Sequence, residues 1–180
     1  QTEEEAWGGM GEQLPDITKR ARWGVSSSKG GFGAEHLYDG SSETFWQSDG
    51  RQPHSISIYF AARQAIHTVS LFLDIDKDES YTPCKATILS GTSERDMQNI
   101  HTAEFAREPR GWVDFVLADD GGPLLAHFVR VELPLNYENG RDVRVRQARI
   151  LGPPASAERF RAERILPFTT PEFYMYDSLR

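Results

Sequence analysis

At 180 residues, with 38% hydrophobic and 26% charged side chains, the chain is long enough for one buried core and too short for two ordinary domains and a linker. Its net charge of −7 excludes nonspecific nucleic-acid binding unless a basic stripe is segregated on one face. The nearest candidate, Arg141, Arg144, Arg146 and Arg149, is spread along one predicted strand and its turn and reads mostly as solvated sheet edge.

Residues 1–15 are rich in Glu and Gly around an isolated Trp7 and read as a flexible lead-in. Asp16 is expected to cap a short helical turn over residues 16–21, followed by an extended segment at 23–27. Gly30, Gly31 and Gly33 come next, then room for one helical turn at 35–38, closed by the turn dipeptide Asp39-Gly40. There the pattern changes to period two. Ile56, Ile58 and Phe60 alternate with Ser57 and Tyr59, and Val69, Leu71, Leu73 and Ile75 alternate with Ser70, Phe72 and Asp74, as in half-buried strands. Further strands are predicted at residues 85–90, 100–105, 111–117, 127–133 and 145–151, separated by Gly, Pro, Asp and Asn clusters. No long amphipathic helix interrupts them. The expected fold is therefore all-β, an antiparallel jelly-roll β-sandwich over residues 16–151 with short N-terminal helical turns. Residues 152–180 open with Pro153-Pro154, pass through a charged stretch and reach Phe168, Phe173, Tyr174, Met175 and Tyr176, the pattern of an extended C-terminal tail.

Cys84 is the only cysteine and no Asn-x-Ser/Thr sequon occurs, which predicts a reducing compartment. No apolar run reaches the length of a membrane span and no secretory signal opens the sequence, so no membrane partner is expected.

The residues that an enzyme needs are not assembled. Asp74, Asp76 and Asp78 have the opening spacing of a calcium loop, but Glu79 stands where the glycine belongs and Lys85 where the bidentate glutamate belongs. An acidic surface loop is the better reading. Cys84, beside a predicted strand start after Pro83, reads as a small hydrophobe more than as a nucleophile. No nucleophile elbow, phosphate loop or pair of histidines at zinc spacing is present, and the glycines at 30, 31 and 33 lack the strand and helix of a dinucleotide site. No catalytic residue, metal or cofactor is expected.

What remains is loop chemistry. Phe45-Trp46-Gln47-Ser48-Asp49-Gly50 sets a large aromatic among turn formers, and Trp46 reads as a core plug with Ser48 and Asp49 capping the loop backbone. Asp78-Glu79-Ser80-Tyr81-Thr82-Pro83 and Asn136-Tyr137-Glu138-Asn139-Gly140-Arg141-Asp142 are both longer than a tight hairpin needs. Asn139-Gly140 is either a plain turn with positive φ or part of a loop cluster that offers donors, acceptors and a tyrosine to an extended peptide or a sugar.

These loops carry a family resemblance. Gly31-Phe32-Gly33, Glu43-Thr44-Phe45-Trp46-Gln47-Ser48-Asp49-Gly50, Gln52-Pro53-His54, Asp78-Glu79-Ser80-Tyr81-Thr82-Pro83, Asn139-Gly140-Arg141-Asp142 and Arg146-Gln147 together resemble the DOC-domain subunit of the anaphase-promoting complex, or cyclosome. The looser pattern of Asp39-Gly40, Thr44, Trp46 and a following strand is shared with the wider galactose-binding-like superfamily, which leaves a glycan- or small-ligand-binding module as the alternative.

The resemblance implies a non-catalytic subunit of a ubiquitin ligase, acting in the nucleus and cytoplasm. Together with a WD40 coactivator it would form the receptor for the destruction box of cell-cycle substrates and promote their processive ubiquitination. Carried over by position, Ser80, Tyr81, Asn139, Gly140, Arg141 and Asp142 would face the degron, and Trp46, Gln47, Ser48 and Asp49 would support them. Tetratricopeptide-repeat and cullin-like subunits are the implied partners. The family's terminal Ile-Arg, thought to enter a tetratricopeptide-repeat groove, corresponds here to Leu179 and Arg180. Read by itself, that tail is equally a plain disordered one with scattered aromatics.

Overall fold

A computed structural model describes residues 13–155 except 106 and 121. The predicted lead-in up to residue 12 and the tail from residue 156, with Leu179 and Arg180, lie outside the described residues.

The alternating segments become strands in two packed antiparallel sheets. One has five strands in the order β1 (Ala21–Val25), β3 (His54–Ile66), β8 (Leu124–Asn136), β5 (Pro83–Gly91) and β6 (Gln98–Glu104). The other has three, in the order β10 (Gln147–Leu151), β4 (Thr68–Asp74) and β7 (Arg110–Val116). Register follows from the period of two, because a one-residue slip would turn every apolar side chain to the wrong face. Ile56 pairs with Val131 and Ile58 with Val129 on one sheet, and Val69 with Ile150 and Leu71 with Ala148 on the other. All eight are buried, and with Leu73, Ile88 and Phe115 they form the shared core. Each large aliphatic side chain buried there is worth about 1.5–3 kcal/mol.

Several local expectations need correction. The turn over 16–21 shrinks to a 3-10 helix at Thr18–Arg20 whose N-cap, Ile17, makes no side-chain bond. The Asp16 carboxylate still accepts from Thr18 N at 2.8 Å, but Asp16 itself is tied into a β-bridge with Leu151. The strand expected to run to residue 75 ends at Asp74, whose side chain accepts from Asp76 N, and Ile75 opens the four-residue helix α1 (Ile75–Asp78). The strand expected over 145–151 is broken. Residues Arg144–Val145 form β9, paired with a two-residue strand β2 (Trp46–Gln47) that was expected to be loop, and β10 begins after Arg146.

That break also overturns the reading of the arginine series as solvated edge. Arg146 is buried and its guanidinium meets Asp78 in two bonds, Nε to Oδ2 at 2.7 Å and Nη2 to Oδ1 at 2.8 Å. Arg144 and Arg149 lie against aromatic rings, with Arg149 Cζ 4.0 Å from the centre of Trp112. Arg141 alone of the four is exposed.

Candidate functional site

The two long polar loops meet at one end of the sandwich. The first runs from α1 into a 3-10 turn at Glu79–Tyr81; the second is a 3-10 turn at Tyr137–Asn139 followed by Gly140, Arg141 and Asp142. Tyr137 N donates to Thr82 O at 2.9 Å. Closer still, a Cβ on Gly140 would fall 1.7 Å from Ser80 O. Only glycine permits that approach. The positive φ expected at Asn139-Gly140 is found on Asn139, at 56°, and on Glu138 before it, at 54°, while Gly140 itself sits at −57°. Its job is close packing, not left-handed backbone.

The second loop is fixed through its main chain. Three successive carbonyls accept from three side chains: Gly140 O from Gln52 Nε2 at 3.2 Å, Arg141 O from His54 Nε2 at 2.7 Å, and Asp142 O from Asn136 Nδ2 at 2.6 Å. Val143 is then clasped by Ser48, with Val143 N donating to Ser48 Oγ at 2.8 Å and Ser48 N donating to Val143 O at 3.0 Å. Meanwhile the side chains of Ser80, Asn139, Arg141 and Asp142 make no hydrogen bond or ion pair among the described residues. Asn139 and Arg141 are exposed, and Ser80, Tyr81, Gly140 and Asp142 are partly so.

Behind them lies a dense support. Trp46 is wholly buried and its indole N–H donates to Ser27 O at 2.9 Å. Gln47 and Ser48 are buried, whereas Asp49 is exposed and held by its backbone N–H on Ser27 Oγ at 3.1 Å. The glycine-rich stretch lies alongside β2: Lys29 N donates to Gln47 O and Gln47 N donates to Phe32 O. Gln47 Oε1 accepts from Arg144 Nε at 3.0 Å. Below, Arg146 Nη1 donates to Ser42 O at 2.9 Å. Gln147 Nε2 reaches Asp39 Oδ1 and Ser41 O, both at 2.7 Å, so the buried Arg146-Gln147 pair pins the 39–42 turn. Burial disfavours the Asp39 anion, but bonds from Thr44, Ser41, Gln147 and His36 outweigh it and hold the carboxyl at about 2.

Gln52, His54, Asn136, Arg144 and Arg146 build the site although the sequence alone singles out none of them as a site residue. Gln52, His54 and Arg146 do fall in strings that carry the family resemblance, which was the available signal. Their partners lie 68 to 104 residues away for Arg146 and 87 or 88 for His54 and Gln52, beyond any local pattern.

The three aspartates with calcium-like spacing are committed elsewhere. Asp74 caps α1, Asp76 takes Arg110 Nε at 2.7 Å, and Asp78 takes Arg146. Among the described residues no group of three or more His, Cys, Asp and Glu is placed to hold a metal. Burial pushes the Cys84 thiol above its ordinary value, away from the thiolate form.

Two antiparallel sheets with polar loops gathered at one end define a galactose-binding-like jelly roll. Solved structures share it: a family 32 carbohydrate-binding module from Clostridium perfringens NanJ in complex with galactose has a TM-score of 0.63 and 12% identity, over 77% of this chain and 99% of the other. A chitosan-binding module from a Paenibacillus chitosanase/glucanase gives 0.61 and 20%, over 77% and 99%. At such identities the likeness is one of fold.

The sequence comparisons are more specific. The family model for anaphase-promoting complex, subunit 10 matches residues 1–178. Anaphase-promoting complex subunit 10 of Dictyostelium discoideum is 39% identical over 165 residues, covering 92% of this chain and 86% of that one. The Homo sapiens subunit is 36% identical over 92% and 88%, and the Schizosaccharomyces pombe subunit 36% over 94% and 89%. The chain belongs to the anaphase-promoting complex subunit 10 family. It is thus a subunit of a cell-cycle ubiquitin ligase, and its partners are other subunits of that complex.

Proposed function

We propose that this subunit is a non-catalytic substrate receptor whose end loops, with a WD40 coactivator, hold the destruction box of substrates and thereby promote processive ubiquitination. One observation carries the reading: the second loop is fixed by three backbone carbonyls, which leaves Asn139, Arg141 and Asp142 to offer their side chains to a ligand beside Ser80 and Tyr81. A preformed, unspent polar surface suits an extended peptide, because little ordering is needed on binding. Two weak receptors on one flexible peptide gain effective concentration, so modest contacts on each lengthen residence. The raised thiol of Cys84 and the commitment of the three aspartates support a role without chemistry of its own.

In the same reading Leu179 and Arg180 dock into a tetratricopeptide-repeat subunit, a cullin-like subunit is a neighbour in the complex, and the protein works in nucleus and cytoplasm. The test is R141A in the reconstituted complex. Fewer ubiquitins per substrate encounter with normal assembly is the expected result; unchanged processivity would remove the receptor role. Deleting the final two residues should weaken assembly while leaving the loops intact.

A further inference from the structure

Arg144 is a member of the site that the receptor reading leaves without a function. It sits in β9 opposite Gln47, and its guanidinium is the common contact of three segments. Nε donates to Gln47 Oε1 at 3.0 Å, Nη1 lies 3.7 Å from Asp78 Oδ1, and Cζ is 4.1 Å from the Tyr81 ring centre and 4.6 Å from that of Phe45. Phe45 is itself stacked on Phe32, with centroids 4.9 Å apart and planes within 11°. The row is therefore continuous from the glycine-rich stretch to the loop that carries Ser80 and Tyr81.

The neighbouring arginine does different work. Arg146 has 6% of its side chain exposed and neutralises Asp78 directly, so it anchors the root of the first loop. Arg144 keeps 23% of its side chain exposed and stands farther from Asp78 than Arg146 does, and the Tyr81 ring is the nearer of the two rings its guanidinium lies over. Tyr81 has no other ring or cation against it among the described residues. A planar guanidinium can stack on a ring face and donate in its plane at the same time; an ammonium cannot do both.

The geometry points to Arg144 as a positioning residue that holds the Tyr81 ring at the ligand surface, with planarity and not charge as the essential property. This rests on the receptor reading only for its functional consequence; the placement of Tyr81 is testable without it. The experiment labels Tyr81 in the full-length chain with 3-fluorotyrosine and follows its fluorine resonance in wild type and R144K. The same variants, with Y81A and Y81A/R144K, are assayed for processivity in the reconstituted complex.

R144K should move the Tyr81 resonance, lower processivity by about two- to tenfold and add nothing in the Y81A background. An unmoved resonance overturns the inference, as does an R144K defect that persists in full when Tyr81 is already gone. A moved resonance with Y81A fully processive upholds the positioning and refutes the receptor role of Tyr81. If R144K fails to fold, F45L removes one of the two rings flanking the guanidinium and should give a smaller displacement of the same resonance, its absence again being decisive.

Discussion

Replacing Gly140 by alanine tests the loop junction more sharply than any change of charge. The new Cβ would lie 1.7 Å from Ser80 O, 2.7 Å from Ser80 C and 3.2 Å from Ser80 Cβ. Ordinary carbon–oxygen contacts begin at about 3.3 Å, so one loop must retreat by roughly 1.6 Å. The nearest obstacles are backbone atoms and cannot rotate away. Because φ at Gly140 is −57°, alanine carries no conformational penalty of its own, and the whole effect is steric. Overpacking of this kind costs about 1–3 kcal/mol, and in a domain of this size each kcal/mol lowers Tm by roughly 2–4 °C. Thermal unfolding of the isolated chain reads the first effect; ubiquitins added per substrate encounter by the reconstituted complex reads the second, as Ser80 and Asn139 separate. A G140A protein with wild-type Tm and wild-type processivity would refute the loop contact and the argument built on it.

Two further outcomes follow from the buried and titrating groups. D78N should cost about 3–5 kcal/mol in urea unfolding because it strands the Arg146 guanidinium, whereas D78L/R146M should recover most of that loss; equal losses in both would mean that the pair is not the anchor. On the pH axis, the Asp39 hydrogen bond and then the Gly31 carbonyl raise His36 above its ordinary 6.5, so its contribution to stability is complete below 6.5 and is lost as pH rises through the higher folded value. Asp39, held at about 2 against an ordinary 3.8, has the opposite sign: its contribution is present above 3.8 and lost as pH falls through about 2. Melting curves of H36Q should therefore lose part of the decline above pH 6.5, and those of D39N part of the decline below 4; unchanged profiles would count against both pairings.

Period two marks β3 and β4, and clusters of Gly, Pro, Asp and Asn bound the other long strands, β6 among them although it stays almost wholly exposed; neither signal reaches β2 and β9. A strand of two residues, Trp46–Gln47 against Arg144–Val145, has no period to detect. Arg146 was misread for a related reason. In an uninterrupted strand over 145–151 an arginine reads as edge decoration, but the break between β9 and β10 carries it under α1 to Asp78, 68 residues earlier in the chain. Nothing local to either residue announces the pair. Gly140 shows the converse case: Asn139-Gly140 marks a turn and Asn139 carries its positive φ, whereas Gly140, at −57°, supplies the room beside Ser80 that no local pattern announces.

The anchoring of the second loop explains how a polar loop can be both ordered and available. Had Gln52, His54 and Asn136 bonded to its side chains, the loop would be fixed and its chemistry consumed. They bond instead to the carbonyls of Gly140, Arg141 and Asp142, groups present whatever the side chain, and His54 and Asn136 do so from buried positions where a lost partner is costly. Side-chain identity at Arg141 and Asp142 is thereby uncoupled from the stability of the loop, whereas Asn139, at φ 56°, holds a left-handed backbone that asparagine tolerates better than alanine. Substitutions at Arg141 and Asp142 can then alter recognition at little cost to the fold, while changes at His54, Asn136 or Gly140 must act through the fold first. That separation is what allows R141A to report on binding and G140A on architecture.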